Sequence, residues 1–423
     1  MSAGRRVVVT AAAGLCPLGE DWGTVRHALR KGVSGISRIR DWDSISGLGS
    51  RIAGAIPGFA APATYPRKKT RTMGRVALLA TRATELALES TGLLGSSLLS
   101  SGRAGVAYGS ASGSKPALNR YSTALHERQQ LQGIGASDYH KLAGHTCSAN
   151  LAQFFALRGR QIATCTACVA GSQAIGFAFE SIRHDLQDIM IAGGAEELSV
   201  DDAAVFDVMR ASSRRNDDPS RASRPFDSGR DGVVVSEGAA TLILESLEHA
   251  SARGAPILAE IVGFATNCDG THMTNPDSFG MQTAMELALA DAGLAPGDID
   301  YVCAHGTATA LGDIAEGQAT ARLFGAKVPV SSLKGHLGHA LGACGSLEAW
   351  IAIHMLCEGW IAPTLNLEDP DDLCGELDHV RGSPRETPLL HAMSNNFAFG
   401  GVNTSLIFRR WSNPSAQTTG VCS

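Results

Sequence analysis

Aromatic residues make up only 5% of this 423-residue chain, and no stretch of it is an unbroken apolar run of membrane-spanning length. A spanning helix needs about 20 such residues, so none is expected. The opening "MSAGRRVVVT" runs straight into a strand-like stretch without the apolar core of a signal peptide, which makes the cytoplasm the expected compartment. Excess positive charge is missing too. The 36 Lys and Arg stand against 41 Asp and Glu, a net charge of −5, which gives no global reason to expect a nucleic-acid partner. Ten cysteines are present, but scattered over a long chain they are expected as free thiols rather than a disulfide framework. One Cys-x-x-C, Cys165 and Cys168, has no second such pair and no histidine pair at ligand spacing. A zinc ribbon lacks half its ligands here, and no metal is expected.

What the chain does have is glycine, 48 residues of it, with 44% hydrophobic residues. That profile suits an α/β enzyme with many tight strand-to-helix turns. Buried-strand runs recur as "RVVVT" (6–10), "AGVAYGS" (104–110), "DIMIAGG" (188–194), "AATLILE" (239–245) and "YVCAHGT" (301–307), with helix-period segments such as 73–93 between them. "ATELALESTGL" (83–93) and "AMELALADAGL" (284–294) match at seven of eleven positions, and each leads through a loop into a strand ending in glycine and a hydroxyl residue. This order predicts a duplicated fold, with halves 1–250 and 251–410 and a site at their interface. The polar segment 212–232 reads as a long loop linking the halves or shaping an entrance, and 411–423 as a flexible tail.

In "IATCTACVAGSQAIG" (162–176) the residues before Cys168 read as a short buried strand. From Cys168 onward Gly171, Ile175, Ala178, Phe179 and Ile182 share one helical face. Cys168 therefore stands at a strand-to-helix elbow, where unpaired N–H groups and the positive helix end favour a thiolate. The small residues Ala167, Ala170 and Gly171 permit close approach of a substrate and of partner backbone. Cys165 has no such position, and a thioredoxin-type dithiol would place its first cysteine, not its second, at the helix start. Two glycine-rich segments carry histidines at strand ends: "AHGTATALGD" (304–313) with His305, and "SSLKGHLGHALGACG" (331–345) with Lys334, His336 and His339. A thiolate holding an acyl group, with neutral imidazole N–H groups stabilising an enolate or oxyanion, can run carbon–carbon bond chemistry on thioesters. A third loop, "MSNNFAFGGVNTSLIF" (393–408), reads equally as a hairpin turn or as a source of backbone N–H groups.

Together "TACVAGSQAIG", "AHGTATALGD", "KGHLGHALGACG" and "NNFAFGGVN", in this order and spacing, resemble the β-ketoacyl-[acyl-carrier-protein] synthases of the Cys-His-His type, most closely the type II elongating enzymes. The resemblance covers residues 4–410 and includes "IAGGAEE", "SRPFDSGRDG" and "DGTHMTNPD". It implies an α/β thiolase fold, two βαβαβαββ halves in five layers, in a homodimer or a heterodimer with a second ketosynthase-like subunit. It implies Cys168 as acyl-accepting nucleophile and His305 and His339 as the pair serving malonyl decarboxylation. Lys334 would orient the site, with Glu316 as its supporting acid beside Asp313. The N–H groups of Cys168 and Phe399 would form the oxyanion hole, and Phe399 would also gate, with Gly400 beside it. Thr307 and Thr309 would hold a pantetheine arm, opposite a mobile loop bearing Asp269 and Thr274. No cofactor is implied beyond the phosphopantetheine that arrives on the acyl carrier protein.

The departures spare the triad: "VVVTAAAG" and "VVVSEGA" replace more usual glycine patterns, and Cys165 and Cys344 are expected to be packing residues. Ser112 stands where a branched residue often lines the acyl pocket, and "GHTCSAN" with "GSQAIGFAFE" is similar to synthases of aryl polyene pathways. The basic run "YPRKKTRTMGR" (65–75) reads on charge alone as a solvated helix start. The resemblance places it beside the entrance, making Lys68, Arg71 and Arg210 candidate docking residues for an acidic carrier. A chain-length-factor subunit is the alternative, but it would lack the nucleophile. A thiolase would need a further cysteine where "AFGGVN" stands.

Overall fold

Among the described residues the main sheet has eleven strands: ten form two repeated rows, and a short strand, Asp378–His379, extends the second row at its edge. Most are runs of β-branched and small residues that fill a sheet buried on both faces. The computed structural model describes residues 4–412. In the first half the strands are β1 (Val7–Leu15), β2 (Ala104–Gly109), β3 (Gln161–Thr164), β4 (Ile189–Glu196) and β5 (Gly238–Ser246). In the second they are β6 (Ala259–Cys268), β7 (Tyr301–Cys303), β8 (Pro329–Ser331), β9 (His391–Ala398) and β10 (Val402–Arg410).

The first half is ordered β3-β2-β4-β5-β1 and the second β8-β7-β9-β10-β6. Both orders read third, second, fourth, fifth, first. The senses agree as well: the first three strands of each row run parallel, and the last two pairings are antiparallel. The rows meet where Val7, Val8 and Val9 of β1 face Ile261, Glu260 and Ala259 of β6. The topology is thus duplicated, as the sequence repeat predicts.

Five helices complete the layers. Helix α1 (Arg75–Ser90) covers the outer face of the first row, and α3 (Ser278–Ala292), backed by α4 (Ala310–Phe324), covers that of the second. Between the rows lie α2 (Ala170–Arg183) and α5 (Cys344–Glu358), each buried around nearly its whole circumference. The result is a five-layered αβαβα arrangement. The repeated helices α1 and α3 are equivalent, and the glycine that closes each repeat, Gly92 or Gly293, takes a left-handed conformation that favours a residue without Cβ.

Three expectations change. Residues 161–164 form a strand, but Gln161 and Ala163 are exposed, because β3 is outermost and pairs only with β2. The segment 212–232 lies inside the first half, before β5, and so does not link the halves; it is pinned there, with Asp227 pairing with Arg224 at 2.9 Å and accepting the N–H groups of Glu368 and Asp369. Of the expected tail, Trp411 lies under the Arg6 guanidinium at 5.5 Å and belongs to the body, while 413–423 fall outside the described residues. Among the described residues no helix is long and apolar enough to cross a membrane.

Candidate active site

Between β3 and α2 the chain turns on Ala167, whose φ is +47°. A left-handed residue bearing a Cβ costs about 1–2 kcal/mol and persists only where its surroundings over-determine it. The elbow delivers Cys168 to the start of α2, 7% exposed. The histidine loops carry the same mark: Ala308 has φ +64° three residues after His305, and Leu341 has φ +45° two residues after His339. Three catalytic-type loops, one from the first half and two from the second, converge with one strained residue each.

His339 Nε2 lies 3.1 Å from Cys168 Sγ. Its Nδ1 accepts the Leu341 N–H at 3.2 Å, so Nδ1 is unprotonated and Nε2 carries the hydrogen toward sulfur. The His305 ring sits edge-on to His339, with centroids 5.2 Å apart. Its Nδ1 faces two donors, Lys334 Nζ at 3.1 Å and Asn396 Nδ2 at 3.3 Å, which again leaves Nε2–H as the donor. Burial, reinforced by the Lys334 ammonium, holds both imidazoles well below the ordinary histidine value of 6.5, and hence neutral. Cys168, His305 and His339 offer ligand atoms within 4.8 Å of one another, a set that zinc would accept by number. The surroundings are wrong for it, because a metal-bound imidazole donates its far N–H to an acceptor, whereas both Nδ1 atoms here face donors.

The sequence expectation of a depressed thiol is overturned. Burial pushes Cys168 up to about 12, against the pull of Lys334 and of its own backbone N–H. The helix start is present, but desolvation of the thiolate outweighs it.

A second correction concerns Lys334. Its ion partner is Glu348 of α5, not Glu316. The ammonium donates to Glu348, to the His305 carbonyl at 2.5 Å and to His305 Nδ1, which uses all three of its hydrogens. Burial works against that ammonium, but Glu348 beside it keeps Lys334 charged. Glu348 also accepts from Asn396 Nδ2 at 2.6 Å. Glu316 braces the loop instead, accepting the N–H groups of His305 (2.7 Å) and Gly306 (2.6 Å). Asp313, three residues earlier on the same face of α4, accepts those of Thr307 and Phe226. Glu348 escaped the sequence reading because it is an isolated acid inside a largely apolar helix, where an acid reads as a surface position. The available signal was that α5 leaves it no surface to occupy.

A cavity of about 340 Å³ opens over Cys168, His305 and His339. Thr307 and Thr309, with hydroxyls 2.9 Å apart, line it together with Phe399, Arg210, Asp269 and Thr274. The Phe399 ring, 38% exposed, leans on Phe206 at 5.7 Å. Phe399, Gly400 and Gly401 form the hairpin turn between β9 and β10; Phe399 and Gly401 lie in the cavity wall and Gly400 does not. That turn is tied to the facing loop: the Gly400 N–H donates to the Met273 carbonyl and the Asp269 N–H to that of Gly401, both at 2.8 Å. Arg230 and Asp231 of the pinned 212–232 segment reach the wall, so that segment does shape the entrance. Three candidates lie elsewhere. Ser112 does not line the cavity; its N–H turns to Glu196 at 3.3 Å. Lys68 and Arg71 stand exposed on the short helix Arg67–Thr70 and its cap, away from the wall. Cys344 packs as expected, its thiol donating to the Cys168 carbonyl at 3.2 Å, but Cys165 is exposed because it follows the outermost strand.

Family models now meet this geometry. The β-ketoacyl synthase N-terminal domain matches residues 4–250 and the C-terminal domain residues 258–368. The chain belongs to the β-ketoacyl synthase family. The 3-oxoacyl-[acyl-carrier-protein] synthase 2 of Vibrio cholerae is 40% identical over 418 residues, covering 96% of this chain and 99% of that protein. A β-ketoacyl synthase structure from Burkholderia phymatum is similar at 52% identity with a TM-score of 0.95, covering 96% of this chain and all of the other. A type II polyketide acyl-carrier protein in complex with its ketosynthase is similar at 29% identity and a TM-score of 0.86, covering 97% of this chain and 100% of that chain.

Proposed function

We propose that this synthase condenses acyl and malonyl groups carried on an acyl carrier protein, with Cys168 as the nucleophile. The observation that carries the assignment is the His339 Nε2–H held 3.1 Å from Cys168 Sγ, with donors feeding both Nδ1 atoms. The Cys168 sulfur attacks the acyl thioester carbonyl as its thiol gives up its proton; the new S–C bond forms, the old one breaks, and the departing carrier sulfur takes that proton and leaves as the thiol. The backbone N–H groups of Cys168 and Phe399 receive the oxyanion. Malonyl-carrier then enters past Thr307 and Thr309. As its carboxylate leaves as CO₂, the C–C electrons become an enolate whose oxygen takes hydrogen bonds from His305 and His339. The enolate carbon attacks the acyl–Cys168 carbonyl, and collapse returns the thiolate and releases a β-ketoacyl product on the carrier.

Neutral imidazoles suit this sequence, since Nε2–H donates to an enolate oxygen without protonating its carbon. The intact nucleophile and both histidines favour a catalytic subunit over a chain-length factor. Phe399 and the Asp269–Thr274 loop act as the gate, and Arg210, Lys68 and Arg71 receive the acidic carrier. The halves 1–250 and 251–410 act as one catalytic body, since each supplies part of the triad. We further infer a homodimer, supported by the open outer edge of β3. The test is acyl transfer to Cys168, read as an added acyl mass on the protein.

A further inference from the structure

Behind this centre lies a buried carboxylate with no part in the chemistry above. Glu196 is the last residue of β4 and is 1% exposed. Among the described residues no lysine or arginine pairs with it. Its Oε2 accepts the Ala111 N–H at 2.7 Å and the Gly342 N–H at 3.2 Å, and its Oε1 accepts the Ser112 N–H at 3.3 Å and the Ser110 hydroxyl at 3.2 Å. One side chain thus ties the loop that follows β2 to the loop that carries His339. The two loops are pressed together at this point: a Cβ on Gly342 would stand 2.5 Å from the Ala111 nitrogen and 2.6 Å from Glu196 Oε2. Gly342 adjoins the strained Leu341, whose N–H sets the His339 tautomer. The chain of contact runs from Glu196 through Gly342 and Leu341 to the imidazole that faces sulfur.

We propose that Glu196 is a positioning residue for the condensation, its carboxylate holding the Leu341–Gly342 segment so that His339 keeps its Nε2–H on Cys168 Sγ. The proposal rests on the reading of Cys168 and His339 as the acyl-accepting centre. Burial raises the Glu196 carboxyl to about 8, against the pull of the Ala111 N–H and with Asp202 adding to the rise. Once ionised, its charge adds to the burial that opposes ionisation of Cys168, Cys147 and Cys165. A like charge removed from beside a thiol lowers that thiol's pKa.

The test is E196Q in the full-length protein, read in two ways. Condensation kinetics should show kcat down by about tenfold or more with KM for either carrier unchanged, as expected when a catalytic group is misplaced but carrier binding is not. The rate of Cys168 alkylation by iodoacetamide against pH should move its midpoint to lower pH, a shift that lost packing alone does not produce. A second variant, G342A, keeps the charge and parts the loops; it should repeat the kcat loss without the downward shift. Wild-type kcat in both variants, or a kcat loss in E196Q with the midpoint unmoved, overturns the proposal. Alkylation needs no carrier, and wild-type acylation is scored separately, so failure of the synthase reading remains distinguishable.

Discussion

At the residue scale the site is built from compensated liabilities. Lys334 and Glu348 are each 2% exposed, and an isolated charge at that depth is costly, so each exists there because of the other. Glu348→Ala strips the ammonium of its counter-ion. We expect a loss of about 3–5 kcal/mol in urea unfolding, in the range of a broken buried pair. We also expect loss of condensation, because His305 loses its fixed donor. Glu316→Gln keeps one acceptor oxygen for the His305 loop and should be milder on both readouts. The histidines give a pH signature. His305, His336, His339 and His354 all sit below the ordinary value of 6.5 because burial disfavours the imidazolium. Above pH 6.5 neither the folded nor the unfolded chain protonates them. As pH falls below it the unfolded chain gains protons that the folded chain refuses, so stability falls. Glu196 and Glu316, which burial raises to about 8, act in the opposite sense, since their protonation on acidification favours the fold. The histidine contribution is therefore isolated by His354→Gln, whose melting temperature should be less sensitive to acid below about pH 6.5 than that of the wild type.

At the element scale the catalytic loops hang on two central helices that nearly touch. A Cβ on Gly171 of α2 would stand 2.9 Å from the Gly342 carbonyl and 3.1 Å from the Ser346 nitrogen of α5. Gly171→Ala should cost about 1–3 kcal/mol, as overpacking does. It should slow acylation as well, because the displaced segments carry Cys168 and His339; urea denaturation and single-turnover acylation would read the two effects. Strands β1 to β5 and β7, the repeat, the elbow and both histidine loops were legible in the sequence, since glycine punctuation and apolar periodicity are local signals. The role of Glu348, the edge position of β3 and the raised Cys168 thiol were not. Each depends on what a distant segment places beside it, and burial of a thiol cannot be read from the residues next to it. Strain was equally hidden: Ala167, Ala308 and Leu341 are ordinary residues in unusual conformations.

At the scale of the whole molecule, duplication explains the catalytic geometry. The nucleophile loop that follows β3 in one row meets the histidine loops of the other, with His339 Nε2 standing 3.1 Å from Cys168 Sγ and the His305 ring edge-on to His339. The exposed run at Lys68 and Arg71 lies outside the cavity wall and suits long-range attraction of an acidic carrier. The double reversal Lys68→Glu with Arg71→Glu should raise the apparent KM for acyl carrier protein severalfold at low salt. The effect should shrink as salt is added, with kcat unchanged. An unaltered KM at low salt would remove these residues from the docking surface.

The central claim is that Cys168 accepts the acyl group, and intact-mass spectrometry after incubation with acyl-carrier or a fatty-acyl thioester tests it most directly. The wild type should gain the mass of one acyl group and lose it when malonyl-carrier is added, while Cys168→Ala should gain nothing. Acylation that survives in Cys168→Ala, or is absent from the wild type, would contradict the account.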